Sequence, residues 1–182
     1  MSRLVFLDAG HGGADTGIVV GDMSEKDITL PIALYVGEML EKQGYSVGYS
    51  RATNEDVTAQ RRASLANDAI PSCFVSIHCN QAPSSPAIHG IETLYLKSDY
   101  RGAVLAKSVQ AKVVAVVNAK NRLVRGVEGD AVLGAVKAPA VIVNVGFLSH
   151  DNERSLLDTQ PYRLALASAI AEGIDAYLVG HP

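Results

Sequence analysis

The segment APAVIVNVGF, residues 138–147, is almost continuously apolar and rich in β-branched residues. Its length suits a strand better than a helix. A strand that is apolar on both sides has to be covered on both sides. Two further short runs of this kind, LVFLDA near the start and CFVSIHCN from residue 73, alternate with longer stretches of helical period. In SEKDITLPIALYVGEMLEKQG the residues Ile28, Ile32, Tyr35, Val36, Met39 and Leu40 form one apolar stripe. VTAQRRASLANDA, GAVLAKSVQAKVVAVVN and PYRLALASAIAEGIDAYL read as three more helices, YSVGYSR and IETLYL as strands, and AVLGA as a short strand. This alternation predicts a single α/β domain, built on a twisted, mostly parallel sheet with helices on both faces.

The punctuation agrees with that order. Ser24 and Asp27 have the spacing of an N-cap and its third helical residue, and Gly44 is placed to end the same helix. Pro31 lies too deep for a first turn, which predicts a kink or a later helix start. No repeat or linker divides the 182 residues, a length that suits one sizeable core. A net charge of -3 gives no general nucleic-acid footprint. No apolar run is long enough to span a membrane, and the opening MSRLVFLDAGH lacks the shape of a signal peptide. The chain is therefore expected either to act without its own export signal or to have had one removed. Cys73 and Cys79 share one face of an extended strand about 20 Å apart, too far for a disulfide. They read as small buried residues.

Three residues suggest chemistry. His11 follows the first strand, His78 lies near the end of the third, and Glu25 opens the first helix. Ligands in open α/β sheets gather at the carboxyl ends of strands, so these distant positions can converge. Two histidines and a carboxylate form a normal catalytic zinc set. Each also has a plainer reading: a loop histidine usually packs or caps, and a first-turn glutamate favours the helix dipole. The glycines of GHGG do not have nucleotide-loop spacing, and no G-K-[ST] follows.

Motifs along the whole chain narrow the choice. FLDAGHGGADTG, the glutamate of SEKD, SRATNED, RRASLAND, FVSIHCNQ, HGIETLYL, RGV, APAVIVNVGFLSH and the last helix resemble, in order, the zinc-dependent N-acetylmuramoyl-L-alanine amidases. These are bacterial cell-wall amidases that also serve as catalytic domains in some phage lysins. The resemblance implies a zinc amidase catalytic domain over residues 1–182, with Zn2+ held by His11, Glu25 and His78. It implies cleavage of the amide between N-acetylmuramic acid and L-alanine in the glycan-peptide strands of peptidoglycan. The expected location is extracytoplasmic, in the cell wall or periplasm, with a phage lysin released from the host cytoplasm as the alternative. Asn80, Arg51 and Glu92 are candidate substrate contacts, whereas Arg62 and Asn67 suit clips between a helix and a loop. Partner-controlled relatives carry a blocking helix after the IETLYL strand. Here KSDYRGAV leads straight into the next helix, which implies an open groove and no activating partner.

Two positions depart from the pattern, His150 and, with more consequence for the chemistry, Asn144. The resemblance implies a glutamate, acting as general base, where this chain has Asn144. An amide donates hydrogen bonds but does not take up the proton. Loss of a positioned acid–base group removes on the order of 10²–10⁴ in rate. The expectation is thus an amidase impaired at Asn144, or a weakly active or inactive peptidoglycan-binding or regulatory protein that keeps its zinc site. Glu128, Asp130, His150 and His89 are candidate substitutes. His150 reads more simply as a cap on the following turn, and His89 as a solvated loop residue.

Overall fold

The computed structural model describes residues 3–181. Its strands are β1 (Leu4–Ala9), β2 (Val19–Val20), β3 (Met23–Ser24), β4 (Ser46–Tyr49), β5 (Cys73–Asn80), β6 (Ile91–Leu96), β7 (Asn121–Val127) and β8 (Ala140–Phe147). Its helices are α1 (Glu25–Lys42), α2 (Ala59–Ala69), α3 (Tyr100–Val117), α4 (Asp151–Leu157) and α5 (Gln160–Gly180). Six strands form the main sheet in the order β4-β1-β5-β8-β6-β7, while β2 and β3 make a small hairpin. β4, β1, β5 and β8 run parallel. β6 is antiparallel to β8, and β7 is parallel to β6. The starts of β6 and β7 therefore lie beside the carboxyl ends of the four parallel strands.

Strand alternation sorts the core into two layers. Val5, Leu7, Val75, Ile77, Val141 and Val143 join the α1, α3 and α5 residues in the larger cluster. Phe6, Phe74, Ala140 and Ile142 face the other way, against Ala66 of α2 and Leu133. This is the helix-covered α/β sheet that the sequence predicts. His78 and Asn144, which continue the even-numbered rows of β5 and β8, fall on the α2 side.

Three details differ from expectation. Pro31 does not delay α1, which begins at Glu25. AVLGA is a turn segment, and the strand of this region is instead β7. The mixed charged and apolar residues of β7 hide it from a search for apolar runs, because it is an edge strand with an alternating half-exposed face. The approach to the last helix also contains a separate short helix, α4. Between β6 and α3 only residues 97–99 intervene, so no extra helix follows β6. Both cysteines are free and buried.

Candidate metal centre

His11, Glu25 and His78 converge where β1 and β5 end and α1 begins. His11 Nε2 lies 3.1 Å from Glu25 Oε2, and His78 Nδ1 lies 3.1 Å from Glu25 Oε1. One ligand atom from each residue lies within 4.8 Å of the others. Donors around a tetrahedral zinc, with bonds of about 2.0–2.2 Å, stand roughly 3.3–3.6 Å apart. The cluster therefore has the size and the donor types of a three-ligand zinc site that keeps one position open.

The chain holds these ligands firmly. Glu25 is buried, and its carboxylate accepts from the Ile18 and Cys79 backbone N–H groups at 3.0 and 2.8 Å. Burial opposes ionisation of Glu25, but hydrogen bonds from His11 and His78 outweigh it and hold the carboxyl well below its usual range. The His11 pKa is raised, chiefly by its hydrogen bond to Glu25, against the opposing effect of burial. On the other side of the His11 ring, Nδ1 lies 2.9 Å from Asp15 Oδ2. Such a carboxylate behind a ligand histidine fixes its ring orientation and tautomer.

Close packing explains the glycines around His11. A Cβ on Gly10 would fall 2.4 Å from Cε1 of His78. One on Gly17 would meet His11 at 2.6 Å and Glu25 at 2.7 Å, and Gly17 also has a left-handed φ of +63°. His11 itself adopts φ 60°, unusual for a residue with a side chain. Its carbonyl accepts from Arg62 Nη2 at 2.7 Å, which ties the turn down. Arg62 also donates to Asp8 and to the Ala9 carbonyl, both at 2.6 Å. Asp8 is fully buried and takes two further hydrogen bonds, from Ser50 and Ser76. Sequence reading gave Arg62 a clipping role but assigned nothing to Asp8. Its signal was a carboxylate inside an otherwise apolar strand.

Comparison with known proteins agrees with this geometry. The sequence profile of the N-acetylmuramoyl-L-alanine amidases matches residues 5–176. The chain belongs to this family. It is 31% identical to the germination-specific N-acetylmuramoyl-L-alanine amidase of Bacillus subtilis, over 96% of this chain and 79% of that protein. Bacillus subtilis YqiI, whose function is uncharacterized, is 34% identical over 96% of this chain and 84% of its own length. The crystal structure of an N-acetylmuramoyl-L-alanine amidase from Clostridium difficile 630 superposes with a TM-score of 0.95 at 32% identity. That match covers 100% of this chain and 99% of the other.

Within the family fold, the expectation of an amidase impaired at Asn144, or of a non-catalytic wall-binding protein, is overturned. The carboxylate of the metal set, Glu25, is intact and meets both histidines, and the family match runs through the whole site. Asn144 stands on β8, buried, and its Nδ2 donates to Glu92 Oε1 at 3.2 Å. The deficit was inferred from one strand position alone. In three dimensions carboxylates reach this end of the sheet from α1 and β6 as well.

The remaining candidates separate clearly. Asn80 lies two residues beyond His78 and donates to Glu92 Oε1 at 2.8 Å. Glu92 itself is buried at the start of β6, directly across from Asn144. Arg51 is not a free substrate contact. It is only 2% exposed, and its guanidinium is taken up by the carbonyls of Ala9, Gly10, Lys26 and Thr53 and by the Thr29 hydroxyl. Its work is to fix the turn that carries His11. Asn67 bridges α2 to the Ala135 carbonyl and the Lys137 N–H.

Glu128 and Asp130 follow the far end of β7, so neither stands in for a base at Asn144. Glu128 pairs with Lys97 at 2.9 Å on the surface, and Asp130 accepts from the Val132 and Leu133 N–H groups. His150 caps α4, accepting from the Glu153 N–H at 3.3 Å, and its ring lies tilted against that of His89 with centroids 4.7 Å apart. Sequence reading missed Glu153, which is buried and accepts from the Gly90 and Phe147 N–H groups. It joins the starts of β6 and α4 to the end of β8, and no motif marked it.

Proposed function

We propose that the protein hydrolyses the amide bond between N-acetylmuramic acid and L-alanine in peptidoglycan, outside the cytoplasm. The observation that carries this reading is the convergence of His11, Glu25 and His78 at the carboxyl end of the sheet, within a chain of this amidase family. Zinc bound there would supply a Lewis acid that polarises the amide carbonyl and makes water a stronger nucleophile.

The protein's own residues set up that chemistry. Asp15 orients the His11 ring, and the Ile18 and Cys79 N–H groups fix the Glu25 carboxylate. The histidine side chains remain about a quarter exposed, which leaves the ligand cluster open to a polymer lying across the sheet end. The direct step from β6 into α3 supports a groove that needs no activating partner. No described helix is long and apolar enough to cross a membrane.

The test is release of new L-alanine amino termini from purified peptidoglycan, with and without a zinc chelator. Activity that disappears on chelation and returns with zinc is the expected result. New reducing ends without new amino termini would assign cleavage to the glycan instead and reject the proposal.

A further inference from the structure

Across the sheet from the metal ligands, one carboxylate has an unusual environment. His78 pairs with Asn144, and Asn144 pairs with Glu92, so the three form a row over β5, β8 and β6 on one face. Glu92 does not stay over its own strand. Its Oε1 reaches Asn80 Nδ2 of β5 at 2.8 Å and Asn144 Nδ2 of β8 at 3.2 Å. The carboxylate therefore lies over β8, drawn back toward the strand that carries His78. Two side-chain amides on neighbouring strands donate to one oxygen, which fixes its position.

The second oxygen is different. Glu92 Oε2 faces Arg122 Nε at 3.8 Å, beyond hydrogen-bond reach. Among the described residues, Arg122 Nε is the only buried side-chain nitrogen or oxygen without a hydrogen-bond partner. A free acceptor and a free donor thus stand side by side on the β7 side of Glu92, at the end of the sheet where β5 carries His78. Arg125, on the exposed edge, lies 3.6 Å from Oε1 and adds positive charge. A water oxygen matches such a pair, because it donates to Oε2 while it accepts from Nε. The side-chain amides of Asn80 and Asn144 and the guanidinium groups of Arg122 and Arg125 do not take up a proton, so among these contacting groups Glu92 is the acceptor.

We infer that Glu92 is the acid–base residue of this site. This rests on the amidase reading above. The attacking water gives one proton to the Glu92 carboxylate as its oxygen forms a bond to the muramoyl carbonyl carbon. The carbon–nitrogen bond then breaks, and the same proton passes from Glu92 to the leaving L-alanine nitrogen. The products are a carboxylic acid and an amine, and the Glu92 carboxylate is restored. Asn144 and Asn80 are positioning residues for it.

In place of Asn144, a glutamate would set a second carboxylate against Glu92 at hydrogen-bond distance, where like charges oppose each other.

Glu92→Gln, Asn144→Glu and the unaltered protein decide the matter together. Each is assayed for release of L-alanine amino termini, for zinc affinity by chelator competition, for equilibrium binding of muramyl dipeptide and for melting temperature. For Glu92→Gln the expected result is a kcat at least about 100-fold lower. KM, zinc affinity, ligand binding and melting temperature should stay near those of the unaltered protein. Asn144→Glu should give no gain in kcat.

An active parent whose Glu92→Gln variant keeps its kcat overturns this inference and leaves the amidase reading standing. So does a Glu92→Gln variant that loses kcat only along with melting temperature or zinc. A rise of 100-fold in Asn144→Glu would likewise move the acid–base role to β8. A parent that binds zinc but releases no L-alanine termini rejects both the amidase reading and the role of Glu92.

Discussion

Gly10→Ala should weaken zinc binding without unfolding the protein. The added Cβ would lie 2.4 Å from His78 Cε1 and 2.6 Å from each ring nitrogen. Carbon atoms in contact prefer separations of about 3.5–4.0 Å. The ring must therefore withdraw by roughly 1 Å, whereas zinc–ligand distances hold to within about 0.2 Å. Without metal, the ring can turn away from Gly10 by giving up its hydrogen bond to Glu25, with no coordination geometry to satisfy. With metal, clearance and full coordination compete. A loss of roughly 10–100-fold in zinc affinity is expected, the range seen when support for a ligand is removed. That corresponds to about 1.4–2.8 kcal/mol. Competition against a fluorescent zinc indicator measures the affinity, and thermal melting of the metal-free protein measures the fold. Unchanged affinity would refute the placement of His78 against Gly10. A metal-free protein that no longer melts cooperatively would refute the claim that the cost falls on the ligand alone.

Two further outcomes follow from the surroundings of the metal set. Asp15→Ala removes the group behind His11 Nδ1 and should lower zinc affinity about 10–100-fold, with little change in melting temperature because Asp15 is exposed. Zinc titration and melting curves check this. Asp8 gives a pH dependence. Burial disfavours its charge, but Arg62, Ser50 and Ser76 together hold its pKa below the ordinary 3.8. A depressed carboxylate contributes stability fully above its unfolded pKa and loses that contribution as pH falls through the folded value. Denaturant unfolding of the metal-free protein should thus weaken progressively below about pH 4. Asp8→Asn should flatten that dependence and cost about 3–5 kcal/mol, since it leaves Arg62 buried beside a neutral group.

Much of this architecture was legible because strong periodicity and chemistry coincided. Apolar runs at β1, β5 and β8 place the parallel sheet, and His11 and His78 sit where such strands end. Glu25 was legible as a first-turn carboxylate. What escaped depends on long-range pairing. The antiparallel placement of β6 brings Glu92 opposite Asn144, and no local pattern fixes strand direction. β7 is a charged edge strand, so Arg122 and Arg125 gave no strand signal. The burial of Arg51 depends on carbonyls of the His11 turn, which only folding brings within reach. Asn144 shows the same limit. Its partner is across the sheet, so its own strand could not reveal that a carboxylate already lies against it.

The most direct test of the account is the position of the metal itself. A crystal of the zinc-loaded protein, measured at the zinc absorption edge, should show one ion per chain bound by His11 Nε2, a Glu25 carboxylate oxygen and His78 Nδ1. An ion located elsewhere, or one that leaves any of these three residues unligated, would contradict it.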